Sequence, residues 1–326
     1  MTASRTLLTA PAALLLTGLA LTGCSATPSE TPSTSNAAAA YPVTVSSCGQ
    51  DFTYDKAPER VVLGNWRTLE TLDALGVGES VTGVVLGPDD RGQAPADLPA
   101  GVEVVSTEVI PAREPVIEAV PDLFLSFNEA QLVGQGTLSY DDLAGIGSNA
   151  YVMGAYCAQS TGSQSIDTVY TDIANLGKIF DVPGQAEELI QELQDRVAAA
   201  KESLGGSTVT VAFLKVVGGK VYAIGGYPAS AFTQALGLTN QFAELPTAFA
   251  ELNSEQALAM DPDIVFVNYV GDEPAAIADL TAALPDLAAV TENRVYGADE
   301  SLAQGSGVGI VTALEAIAAD VKTAGQ

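Results

Sequence analysis

The sequence predicts an α/β protein in two lobes, with mainly parallel sheets and a stiff helical connection between them. Three observations carry this expectation. Short apolar runs alternate with helix-periodic stretches, the plan restarts after a long helical middle, and two local motifs recur in the same order in both halves.

Residues 60–64 (RVVLG) read as a buried strand, followed by a helical stretch with Leu69, Leu72 and Leu75 that stops at Gly76. Residues 81–86, 102–105 and 123–127 are further strands, and 151–153 a fifth. Strands that alternate with helices lie parallel, with both faces covered. Residues 163–204 look helical throughout: Ile166, Val169, Tyr170, Ile173, Leu176 and Phe180 share one face. After Asp181-Val-Pro-Gly184, another face holds Leu189, Leu193, Val197, Ala200 and Leu204. Helices between lobes resist hinge closure more than crossing strands do, so a preformed cleft is expected. The second half adds strands over 208–214, 264–268 and 294–296, a helix over 230–236 ending at Gly237, and a closing helix over 307–322.

The echoes are local but ordered. Ala74-Leu75-Gly76-Val77 is matched by Ala235-Leu236-Gly237-Leu238. Glu114 stands seven residues before Pro121-Asp122, and Glu255 seven before Pro262-Asp263; each Pro-Asp pair opens an apolar strand, LFLSF or IVFVN.

Composition narrows the function. The 326 residues are 47% hydrophobic and include no histidine. Ser-His-Asp and Cys-His catalysis, and metal sites built on His, are therefore excluded. Thirteen Lys+Arg against 40 Asp+Glu give a formal charge of −27. Phosphate backbones are repelled by such a surface, and no basic stripe counters it, so nucleic acid is not a partner. Gly305-Ser-Gly-Val-Gly309 and Gly218-Gly-Lys220 lack the spacing of nucleotide-binding loops.

Residues 1–23 carry one charge, Arg5, and a short Leu/Ala-rich run broken by Pro11 and Gly18, the pattern of a signal peptide and not of a spanning helix. Leu21-Thr22-Gly23-Cys24 resembles a bacterial lipobox, with Cys24 as the acylated residue after cleavage. Residues 24–42 then form a lipidated cysteine and a Ser/Thr/Pro/Ala-rich tether. The expected domains are an N-terminal lobe over 43–162, interlobe helices over 163–204 and a C-terminal lobe over 205–326. Cys48 and Cys157 remain, an even pair in an exported chain, which favours a disulfide over two unpaired thiols.

Ala57-Pro58-Glu59-Arg60-Val61-Val62, the two Ala-Leu-Gly segments, the two Glu-x6-Pro-Asp segments and the interlobe helices, in this order behind a lipobox, resemble the class III substrate-binding proteins of bacterial ABC importers. These receive iron–siderophores, haem and cobalamin. The Tyr41-Pro-Val-Thr-Val-Ser-Ser-Cys48-Gly49 opening with a later Cys157 looks like the actinobacterial iron–siderophore branch. The resemblance implies two Rossmann-like lobes around a ligand cleft. It also implies a monomer, lipid-anchored on the outer face of the cytoplasmic membrane, that serves an ABC permease and ATPase. The cargo would be a ferric siderophore, with no resident cofactor, no protein metal ligand and no catalytic residue. Glu114 and Glu255 fall where the family's permease-docking glutamates fall. Haem, cobalamin or another bulky chelate is the alternative cargo. An exported carboxylate-dependent enzyme and a cell-wall interaction lipoprotein are alternatives of other classes.

The family supplies no binding motif for the cleft, so its residues are argued from strand ends, where open α/β sheets bind ligands. Asn65, Trp66 and Arg67 follow the first strand; Trp66, the only tryptophan, offers an apolar face and Arg67 a fork for anionic oxygens. Arg91 and Arg113 are expected in loops. Phe127, Asn128, Tyr227 and Tyr269 follow strands or Gly-rich turns and are expected to line the walls.

Overall fold

The computed structural model describes residues 41–87, 98–134, 136–157, 164–245, 247–304 and 307–325; the signal tract, Cys24, the expected tether up to residue 40 and Arg91 lie outside them, while Tyr41, expected in the tether, donates its hydroxyl to the Ile179 carbonyl at 2.7 Å. Positive φ at Cys48 (48°) and Gly49 (77°) folds β1 (Val43–Ser47) back onto β2 (Gln50–Tyr54) as an antiparallel hairpin. The chain then runs through β3 (Val61–Leu63), α1 (Thr68–Ala74), β4 (Val81–Val85), β5 (Glu103–Ser106) and α2 (Arg113–Glu118). It continues with β6 (Leu123–Ser126), α3 (Ala130–Val133), α4 (Tyr140–Gly145) and β7 (Asn149–Val152). The five strands after the hairpin form a wholly parallel sheet in the order β5-β4-β3-β6-β7. Central β3 and β6 are buried at every residue, which is why they read as unbroken apolar runs.

Two helices follow, α5 (Asp167–Ile179) and α6 (Pro183–Ser203). Asp181 takes φ 58° between them, and Pro183 opens α6 at a position where its missing N–H costs nothing.

The second lobe contains β8 (Thr210–Val217), β9 (Lys220–Ile224), α7 (Ala229–Leu236), β10 (Thr239–Asn240), β11 (Phe249–Leu252) and α8 (Ser254–Met260). β12 (Ile264–Tyr269), α9 (Glu273–Ala283), α10 (Ala288–Thr291), β13 (Val295–Asp299), α11 (Glu300–Gln304) and α12 (Val308–Ala324) complete it. Its sheet runs β11-β9-β8-β12-β13, with β10 also on β8. This sheet is mixed: β8, β10, β12 and β13 are parallel, whereas β9 is antiparallel to both β8 and β11. Gly218 and Gly219, at φ 58° and 77°, make the β8–β9 hairpin turn.

The recurrent Pro-Asp pairs have matching jobs. Asp122 accepts hydrogen bonds from the backbone N–H groups of Glu59 (3.0 Å) and Arg60 (2.9 Å), fastening β6 to the entry of β3. Asp263 accepts from the N–H (2.7 Å) and hydroxyl (2.8 Å) of Thr210, fastening β12 to the entry of β8. Those bonds, the backbone one first, hold the Asp263 carboxyl below its ordinary range.

The described chain forms one compact unit. Its largest buried cluster runs from β3 and α1 through α5 and α6 to β8, α7, β12 and α12. Arg196 of α6 places its fork on Glu315 of α12 at 3.0 and 2.7 Å. The Thr71 hydroxyl of α1 accepts from the Val308 N–H of α12 at 3.3 Å. The two lobes thus share packing and a direct hydrogen bond. Among the described residues no helix is long and apolar enough to cross a membrane.

Candidate ligand-binding cleft

The first wall is the carboxyl end of β3. Asn65 is buried, and its Oδ1 accepts from the Arg67 N–H at 2.9 Å, turning the chain into α1. Trp66 is half-buried with Nε1 lacking an acceptor among the described residues, and the Arg67 guanidinium lies 4.8 Å from the Trp66 ring centroid. The pair floors a shallow 310 Å³ depression with Leu69, Glu70 and Asp73.

An aromatic row crosses the lobes. Phe127, just past β6, meets Tyr156 edge-on at 6.3 Å, and Tyr156 meets Tyr227 of the second lobe at 5.2 Å and 89°. Burial pushes both tyrosine hydroxyls up from their ordinary range, with Glu300 adding to the effect on Tyr156. Tyr156 was not among the residues expected from sequence, although it lies four residues past β7, where the strand-end rule applies. A short 3-10 turn, Gly154–Tyr156, carries it.

That turn hangs on a buried acid. Asp172 of α5 accepts from the Tyr151 hydroxyl (2.7 Å) and from the Gly154 N–H (3.1 Å). Desolvation pushes its carboxyl up to about 7, against the two hydrogen bonds that pull it down. Between the ordinary value of 3.8 and about 7 the native state holds the extra proton, so this group's contribution to stability falls as pH rises through that window and is flat above it. Asp172→Asn should gain on the wild type by roughly 2–4 kcal/mol between about pH 4 and pH 8. Urea unfolding at both pH values tests this; a gap independent of pH contradicts it.

The second lobe offers a recess at the carboxyl end of β12 and β13. Asn268, Tyr269, Glu273, Asp299, Glu300 and Asp320 surround a 270 Å³ recess floored by Phe213 and Phe232. The Tyr269 hydroxyl is pushed up to about 12 by burial, then by Asp299 and Glu273, while Arg67 pulls it down. The Arg67 guanidinium of the first lobe thus acts electrostatically on the Tyr269 hydroxyl of the second.

The remaining sequence-based candidates go elsewhere. Arg113 is not in a loop: it opens α2, is exposed, and pairs with Asp142 at 3.4 Å. Asn128 spends its Oδ1 on the Ala130 N–H (2.9 Å) at the start of α3. Arg91 falls outside the described residues. Glu114 and Glu255 are both exposed at the second position of a helix, α2 and α8, that leads into a Pro-Asp pair. Cys48 and Cys157 are joined, with Cα atoms 5.2 Å apart, which ties the hairpin tip to the residue after Tyr156. Among the described residues, the set of three metal-type ligands that lie together is Cys48, Glu129 and Cys157. Its sulfurs are bonded to each other, which leaves one carboxylate and no metal site.

Two α/β lobes, joined by helices and meeting at the Tyr156–Tyr227 pair, define a binding protein of the class III type. Residues 61–302 match the model of the periplasmic binding protein family, and the chain belongs to that family. An Fe3+-hydroxamate transport protein of Saccharomonospora viridis DSM 43017 is similar at 28% identity, TM-score 0.72, over 86% of this chain and 99% of that one. The petrobactin-binding protein YclQ of Bacillus subtilis shares the fold at 18% identity, TM-score 0.67, over 86% and 98% of the two chains. The haem-binding protein RhuT of Roseiflexus sp. RS-1 shares it at 22%, TM-score 0.66, over 82% and 99%. A comparison with curated proteins gives no match.

Proposed function

We propose that this protein captures a ferric siderophore in the interlobe cleft and delivers it to an ABC permease and its ATPase. It works as a monomer held by lipid at Cys24 on the outer face of the cytoplasmic membrane, and performs no chemistry on its cargo. The observation that carries the reading is the aromatic row Phe127–Tyr156–Tyr227, which crosses between the lobes, with Trp66 and Arg67 after β3 and Tyr269 at the end of β12. Flat aromatic faces suit the apolar body of a chelate, and hydroxyl and guanidinium donors suit its anionic oxygens. The similarity to a protein described as an Fe3+-hydroxamate transporter points the same way. Haem fits less well. Without histidine it would need a tyrosinate ligand, and burial disfavours ionisation of Tyr156, Tyr227 and Tyr269.

Fluorescence titration tests the reading, because Trp66 is the sole tryptophan. Ferric siderophores should quench its emission saturably, whereas haem and cobalamin should not compete at equal concentration. Calorimetry then separates contact from energy transfer. Trp66→Phe should weaken binding by about 0.5–1.5 kcal/mol, the scale of one aromatic contact. Unchanged calorimetric affinity removes Trp66 from the site; displacement of the ferric complex by haem or cobalamin reassigns the cargo.

A further inference from the structure

The second lobe's recess has the wrong charge for the anionic part of a chelate. Glu273, Asp299, Glu300 and Asp320 all face it, and among the described residues the cation paired with any of them is Lys215, 2.5 Å from Glu300. These acids are held in place. Glu273 accepts from the Gly297 N–H at 3.1 Å, and Asp299 accepts from the Ser301 N–H at 2.9 Å and its hydroxyl at 2.5 Å. A Cβ at position 297 would strike the Glu273 side chain, so the glycine lets that carboxylate lie across β13.

An independent feature asks for a donor. Asn268 is 7% exposed, lines the recess, and its Oδ1 has no hydrogen-bond partner. A buried acceptor left unmatched costs about 1–3 kcal/mol, and an ammonium group carries three donors. A metal ion fits poorly: no three of these carboxylates bring ligand oxygens within 4.8 Å of one another among the described residues. The apolar floor of Phe213 and Phe232 suits the methylene arm behind an amine. Burial first, and then the Glu273 charge, push the Asp320 carboxyl up to about 6.

We infer that this recess is a subsite for an organic ammonium group, so that the preferred cargo is a ferric chelate carrying a primary amine. The subsite belongs to the cleft proposed above, and the cargo assignment rests on the ferric-chelate reading. A matched pair of probes tests it by calorimetry: the ferric complex of desferrioxamine B, a linear trihydroxamate ending in a free amine, and the same complex acetylated on that amine. The free amine should bind about tenfold tighter or more. The double variant Glu273→Gln with Asp320→Asn, which keeps the size and an acceptor oxygen of each side chain, should bind both forms alike. Equal affinity of the wild type for both forms overturns the subsite and leaves ferric-chelate capture standing.

N-acetylcadaverine, an amine arm without iron, separates the claims in the other direction. It should shift the Asn268 side-chain and Gly297 backbone amide resonances of the 15N-labelled wild type, and not those of the double variant. That shift, with neither ferric complex bound, keeps the subsite and strikes the iron reading. No shift by the arm, with no preference for the free amine, overturns the subsite. Calcium moving these resonances where the amine does not makes this a metal-ion site and also overturns it.

Discussion

Replacing Glu114 and Glu255 together by Ala is expected to cut uptake into cells roughly tenfold or more, while the affinity for cargo stays within about twofold. Both side chains are exposed, and both occupy the second position of a helix that leads into a Pro-Asp pair at the start of a central strand. The lobes thus present one carboxylate each from equivalent places. An acid in the first helical turn also complements the macrodipole, at about 0.3–1 kcal/mol, so a small loss of stability accompanies the substitution and has to be separated from the loss of delivery. Glu114→Gln with Glu255→Gln makes that separation by keeping size and polarity. If the charges dock onto a basic permease surface, Gln should fail in uptake nearly as badly as Ala, and Arg should fail worse through like-charge repulsion. Radiolabelled ferric-chelate uptake, paired with calorimetry on the same variants, reads both quantities. Normal uptake by the double Ala variant sinks the docking assignment.

The fold was legible wherever burial makes a strand continuous or a helix periodic. β3, β6 and β12 are apolar runs because both their faces are covered, and α5, α6 and α12 carry their buried residues at helical spacing. The edges were not legible. β9 mixes buried with exposed and half-buried residues, β11 alternates exposed with half-buried ones, and both add antiparallel pairings to the mainly parallel plan. Gly218-Gly219, two adjacent glycines before a strand, carry a hairpin signal that is independent of any phosphate-loop spacing. The β1–β2 hairpin escaped for a related reason: one of its two positive-φ turn residues is a cysteine, a poor turn former.

Site residues divide in the same way. Trp66 follows β3 and Tyr269 closes β12, at carboxyl strand ends where the topology puts ligands, whereas Tyr227 follows the antiparallel β9. Arg113 and Asn128 are used locally, by Asp142 and by the start of α3, and no single-residue argument distinguishes such duties from binding. Asn268, Glu273 and Asp320 come from three different elements, so their convergence exists only in the folded chain.

Removing the Cys48–Cys157 bridge is the second change expected to have a large effect. The bond spans 109 residues of sequence, and closing a loop of that size restricts the unfolded chain by an amount worth about 4 kcal/mol in the chain-entropy model. For a protein of this length that corresponds to a melting temperature lower by roughly 10 °C. The cost should not be confined to stability. Cys157 follows Tyr156 directly, and Tyr156 is the middle ring of the row that crosses the lobes. One end of its turn is held by Asp172 through the Gly154 N–H, and the other by the bridge to the hairpin tip. Cys48→Ser with Cys157→Ser should therefore melt lower and also bind the ferric chelate more weakly, with a faster off-rate, because Tyr156 must be ordered on binding. Intact mass after alkylation establishes whether the exported wild type carries the bond; calorimetry and thermal melting then measure both effects. Two alkylated thiols in natively exported protein remove the bridge. A double variant that melts low but binds normally keeps the staple and removes its role in positioning Tyr156.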